Sequence, residues 1–160
     1  MRSRTSMIPG HYFKTDDGSL PEVEVTFAVP AHMVAAFAHL FACGARVATR
    51  GGGQLWASGK PSVRQFSGLE DAERVGSGES EPFHLLLEGI VRQGTRLPDL
   101  GVLVTADGFT VDYRMGATWQ DAEIRAFLSL LGDLRALGGS VSVPWWGEGG
   151  QRDFQQALAR

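Results

Sequence analysis

The chain has 160 residues, a formal net charge of −3, 43% hydrophobic residues and 21% charged ones. That balance excludes a disordered tail, a collagen-like repeat and a membrane span, and it fits one compact domain over 1–160. A chain of this length buries roughly two-thirds of its unfolded surface, so it folds without a metal or a disulfide.

The single cysteine, Cys43, excludes an intramolecular disulfide and a cysteine-based structural zinc site. No apolar run approaches the ~18 residues of a membrane helix. The basic start, with Arg2 and Arg4, leads to Pro9 and Gly10 rather than to an apolar stretch, so no secretory signal is expected. A cytoplasmic protein is the expectation. Of the 15 basic residues only Lys14 and Lys60 are lysine, which a GC-rich coding bias explains. The mild acidity argues against nucleic acid as a partner and leaves a basic partner allowed.

Residues 1–19 are polar and turn-rich, and a loosely ordered start is compatible with them. Val23, Val25, Phe27 and Val29 then alternate with Glu22, Glu24, Thr26 and Ala28, the period of a strand with one buried face. Pro30 stops the strand and suits the first turn of a helix. The helix is expected over Ala31–Ala42, with Met33, Val34, Phe37, Leu40 and Phe41 on one stripe. From Arg46 to Pro82 glycine is frequent; short strands are read at Gln54–Ala57 and Ser62–Phe66. Glu70–Glu81, acidic and rich in Gly and Ser, is read as a loop.

The apolar run Phe83–Val91 fits a buried strand or a short helix, and the strand is the preferred reading. Val102–Thr105 and Phe109–Tyr113, joined by Ala106-Asp107-Gly108, read as a hairpin. The clearest helix is Trp119–Leu137, with Thr118 as its cap and a stripe of Ile124, Phe127, Leu128, Leu131 and Leu134. Gly138-Gly139 ends it. Val141 and Val143 suggest one more strand before Pro144, and Gln151–Ala159 a short C-terminal helix. Two amphipathic helices with one apolar stripe each need one sheet face to cover. The expected fold is therefore a two-layer α+β domain with a largely antiparallel sheet and two main helices on one face. The initial strand–helix–strand leaves room for one parallel pair.

Common catalytic motifs do not fit. Between Gly53 and Gly59-Lys60 stand five residues, and Pro61 occupies the place of a Mg²⁺-binding hydroxyl, so a phosphate loop is not formed. His32 and His39 share a helix face about 10 Å apart, too far to ligate one metal. Cys43 ends an apolar helix, where the dipole raises a thiol pKa, so it reads as a small buried side chain rather than a nucleophile. Asp107, Asp112, Glu88, Asp99 and Asp121 supply carboxylates, but spacing does not show whether they converge.

Three groups remain as binding candidates. Trp145-Trp146 stands near a strand end, where either alternation sends one ring inward and one outward or both rings cap the core at the open end of the two layers. An outward Trp gives large contact area at low entropy cost. Trp56, in the glycine-rich stretch, is the second candidate. The third is the acidic segment bearing Glu70, Asp71 and Glu73, a docking face for a basic partner. No cofactor is expected. The expected function is a non-enzymatic protein-binding domain, in its narrower form a bacterial immunity- or antitoxin-type protein that blocks a toxin. The alternative is a small enzyme or a small-molecule-binding module with a pocket lined by carboxylates and tryptophans. A homodimer is left open.

Overall fold

The computed structural model describes residues 8–49, 54–56 and 63–159; for Gln54, Trp56, Val63 and Arg64 it describes the backbone alone. Strand β1 (Glu22–Phe27) leads into helix α1 (Pro30–Ala42), short strands β2 (Arg46–Val47), β3 (Gln54–Trp56) and β4 (Val63–Gln65), and helix α2 (Leu69–Gly76). Then come β5 (Phe83–Glu88), β6 (Val91–Arg92), β7 (Thr95–Arg96), β8 (Leu100–Thr105), β9 (Gly108–Tyr113), α3 (Asp121–Ala136), β10 (Gly139–Ser142) and α4 (Gly147–Leu158). Six strands form one sheet in the order β10-β1-β9-β8-β5-β2, and β3-β4 and β6-β7 form two small ribbons. Every described pairing is antiparallel, so the parallel pair that the sequence left room for does not form.

Alternation along the strands separates two faces. Val23, Val25 and Phe27 of β1 are buried, whereas Glu22, Glu24 and Thr26 are exposed. Register carries the division across the sheet: Val25 pairs with Phe109, Phe109 with Val104, and Val104 with Phe83, all buried. The helices cover this apolar face. Met33, Ala36, Phe37 and Leu40 of α1 point into it, as do Ile124, Phe127, Leu131 and Leu134 of α3. The opposite face, from Ser142 through Glu24 and Thr110 to His84, carries no described helix. The fold is a two-layer α+β arrangement, as the periodicities require.

Three sequence expectations change. Glu70–Glu81 is not all loop, because α2 occupies its first half. Ala72 and Val75 bury one face of α2 against the core, and Asp71 satisfies the helix start by accepting from the Ser67 and Gly68 amides at 2.7 and 3.3 Å. Residues 1–19 supply side chains to the core, which their polar, turn-rich character does not suggest. Ile8, Tyr12 and Phe13 are buried, and the Phe13 ring lies 5.0–6.0 Å from Tyr113, Trp119, Phe127 and Phe154. A buried aromatic of this kind contributes about 3–5 kcal/mol against alanine. Third, α3 begins after Gln120 rather than after Thr118, the Gln120 amide donating to the Glu123 carboxylate at 3.1 Å.

The hairpin lies where expected, with a different reason for its glycine. No residue of the turn needs a positive φ. A Cβ on Gly108 would instead overlap the Val25 carbonyl oxygen of β1, so the glycine permits close approach of two strands.

The edge strand β10 is covered by α4. The Phe27 amide donates to the Asp107 carbonyl and the Tyr113 amide to the Pro21 carbonyl, so the odd residues of β1 bond towards β9 and the even ones towards β10. Glu24 and Thr26 therefore bond Ser142 and Ser140, and Val141 and Val143 direct their own backbone groups outward. Side chains of α4 meet them there.

Candidate protein-binding surface

Pro144 breaks β10, and Pro144–Trp146 winds into a 3-10 turn that leads directly into α4. The tryptophan pair is thus not in a strand, yet the two rings still part. Trp146 turns inward: its Nε1 donates to Tyr113 Oη at 3.2 Å and its ring meets Tyr12 edge-on at 5.0 Å. A side chain on Gly150 would overlap Trp146, so glycine there lets α4 close over the ring. Tyr113 Oη donates to the Tyr12 carbonyl at 2.8 Å, and Tyr12 Oη donates to Asp153 on α4 at 2.6 Å. The hydrogen bond to Asp153, then burial, pushes the Tyr12 hydroxyl up to about 12. Burial pushes Tyr113 up further. Both stay neutral donors and brace the turn. Trp145 points outward and is 47% exposed.

Beside this turn the open sheet face is acidic. Glu22 and Glu24, two apart on β1, are exposed on the same side, and Glu22 lies opposite Asp112 of β9. Like charges opposite each other in a ladder cost stability. Asp112 reaches across β8, where Gly101 has no side chain to obstruct it, to His84 Nε2 at 2.8 Å. Glu22 and Glu24 have no ion pair among the described residues. Register puts Trp145 at the same corner. Ser142 pairs with Glu24, so the chain leaves β10 at the Glu22 end, and its 3-10 turn lies against β1.

A second cluster joins α1 to α3. Asp133 accepts from Arg92 Nε at 2.7 Å and Arg92 Nη2 at 3.0 Å, a two-pronged pair. Its Oδ2 also lies 2.9 Å from His39 Nε2, and Cys43 Sγ lies 3.5 Å from that same nitrogen. Cysteine, histidine and aspartate are thus together, but they do not form a relay. A relay needs one ring nitrogen for the thiol and the other for the carboxylate; here both compete for Nε2. Burial, followed by the Asp133 charge, pushes the Cys43 thiol up, away from the reactive thiolate. Arg92 above all, assisted by His39, holds the Asp133 carboxyl below the usual carboxylate range. The arrangement ties the β6–β7 ribbon and α1 to α3.

The remaining candidates scatter. Asp71 is wholly buried, bonded to the α2 start and to Arg74 Nη1 at 3.0 Å, so it is not a docking group; its charge serves the helix. Glu70 and Glu73 are exposed on α2. Trp56 lies on β3, and its side chain falls outside the described residues, as do residues 50–53 and 57–62 of the glycine-rich stretch. The carboxylates do not converge: Asp121 pairs with Lys14 at 2.9 Å, Glu88 with Arg46 at 3.9 Å, and Asp107 lies in the hairpin turn. Among the described residues no group of three His, Cys, Asp or Glu could hold a metal ion. No described helix is long and apolar enough to cross a membrane. No protein-family model, curated protein or solved structure matches the chain.

Sequence reasoning passed over Glu22, Glu24 and Asp112 as a group. The first two read as the polar half of a strand. Only the register of β1 against β9 brings Asp112 to them, and no local signal carries that register.

Proposed function

We propose that this chain is a non-enzymatic protein-binding domain, and that it contacts a basic protein partner through the corner formed by Trp145, Glu22, Glu24 and Asp112. The observation that carries this reading is the exposed Trp145 on a braced turn that lies against β1, the strand whose exposed Glu22 and Glu24 have no ion pair among the described residues. An aromatic anchor of low entropy cost supplies affinity, and the surrounding charge supplies steering and selectivity. The like-charge pairing of Glu22 with Asp112 costs stability, and a cationic partner would relieve it. The narrower form of the reading is an immunity- or antitoxin-type protein acting in the cytoplasm, where it would cover the active site of a basic toxin. That form is supported by the acidic surface and by the single unpaired cysteine.

The test is co-purification of the tagged full chain from its source cells, alongside Trp145→Ala and Glu22→Lys/Glu24→Lys variants. The reading expects a stoichiometric basic protein that both variants lose and that a Glu70→Gln control on α2 retains. A partner held equally by all of them contradicts it.

A further inference from the structure

An edge strand leaves a row of backbone groups open to any strand that approaches. Here that row is Val141 of β10 and Val143 just beyond its end, whose amides and carbonyls face away from β1. Natural edges are commonly blunted by charge within the strand or by a bulge. Gly139-Ser140-Val141-Ser142-Val143 has no charge, and Gly139 to Ser142 pair with β1 without a break in register.

Helix α4 does the blunting instead. Gln155 Nε2 donates to the Val141 carbonyl at 2.6 Å, and the Val143 amide donates to Gln151 Oε1 at 2.6 Å. One amide side chain donates and the other accepts, as the backbone of a neighbouring strand would. The spacing fits: four residues of helix rise about 6 Å, and two residues of strand rise about 6.8 Å. The Val143 carbonyl is taken by the Trp146 amide at 3.0 Å, which completes the closure at that end. Phe154 and Leu158, buried on the adjoining stripe of α4, hold the helix against the core so that the glutamines reach the edge.

We propose that α4 is an autoinhibitory cover, and that the pairing it blocks is β10 against β10 of a second copy of the chain. The strand suits that occupant. An antiparallel pair centred on Val141 places Val141 opposite Val141 and Ser140 opposite Ser142. The apolar residues then stay on the covered face and the hydroxyls on the open face, with no like charges meeting. The outward amide and carbonyl of each Val141 would satisfy the other. This inference is independent of the partner-binding reading above, because it concerns the opposite side of β10 from β1 and requires no partner protein.

The test uses the purified full chain and a Gln151→Ala/Gln155→Ala variant, compared by light scattering over a range of concentrations. Removing two hydrogen-bonding caps is expected to tighten self-association by about tenfold or more. Adding Ser140→Lys and Ser142→Lys sets like charges opposite each other in the proposed pair, and is expected to return the monomer. A double variant that associates no more than the wild type overturns the proposal, as does a dimer that the lysines leave intact. Hydrogen exchange on the unmodified chain stands apart from whether the variants fold. The Val143 amide is expected to be protected, and rapid exchange there contradicts the cover.

Discussion

Replacing Asp133 by Asn tests the account of the cluster between α1 and α3. Asp133 is the acceptor for both prongs of Arg92 and for His39, and its side chain is 23% exposed, with 33% for Arg92 and 29% for His39. An exposed ion pair contributes about 0–1 kcal/mol, and breaking a buried one costs about 3–5 kcal/mol. These partners lie between the two limits and closer to the surface one, so Asp133→Asn should cost about 1–2 kcal/mol. At about 2–4 °C per kcal/mol for a chain of this size, the melting temperature should fall by about 2–8 °C near neutral pH. The pH dependence has a definite sign. Arg92 and His39 hold the folded Asp133 below its unfolded value of about 3.9. Its contribution is therefore fully present above that value and is lost as pH falls through the folded pKa. Melts of both proteins from about pH 7 down to about pH 3 should show the gap narrowing at the acid end. A loss below about 0.5 kcal/mol near neutral pH, or a gap that is the same at every pH, refutes the reasoning.

The tryptophan pair should divide in stability measurements. Trp145→Ala should change stability by no more than about 0.5 kcal/mol in a denaturant melt, whereas Trp146→Ala should cost about 1–3 kcal/mol through lost packing on Tyr12 and the lost bond to Tyr113. Asp71→Ala should cost about 1–3 kcal/mol, because it frees two amides at the start of α2 and leaves Arg74 without its carboxylate. The chain has two tyrosines, and both hydroxyls are raised in the folded state. An ultraviolet titration should therefore show no ionisation step near pH 10, and the stability held in these neutral hydroxyls should be lost as pH rises above that value. Asp153→Asn should bring Tyr12 back towards its ordinary range, and a Tyr12 step that stays in place contradicts the assigned hydrogen bond.

Much of the framework was legible because its elements repeat a period long enough to read. The alternation from Glu22 to Phe27, the stripe of α1 and the stripe of α3 each extend over several turns or pairs, and each proves to face the core. Helix α2 was hidden because Leu69–Gly76 offers only two fully buried apolar side chains, Ala72 and Val75, amid acidic residues that resemble a solvated loop. Its start is secured by Asp71 from inside the helix, not by a residue ahead of it. Phe13 was hidden for a different reason: a single aromatic between a 3-10 turn and a loop has no periodicity, and its burial depends on Tyr113, Trp119 and Phe154, each about a hundred or more residues away in sequence. Which ring of the Trp145-Trp146 pair turns outward was not legible, because strand alternation parts two neighbouring side chains without saying which faces solvent, and a 3-10 turn in fact separates these rings. The acidic corner depends wholly on strand order. Glu22 meets Asp112 only because β9 lies between β1 and β8.

The most direct test of the central claim is a titration of the co-purified basic protein into the wild-type chain and into a Trp145→Ala/Glu24→Lys variant, followed by calorimetry at low and at high salt. If the corner is the contact surface, the variant loses about 2 kcal/mol or more of binding, and added salt weakens the wild-type complex more than the variant's. Equal affinity for the two proteins at both salt concentrations would contradict the assignment of this surface.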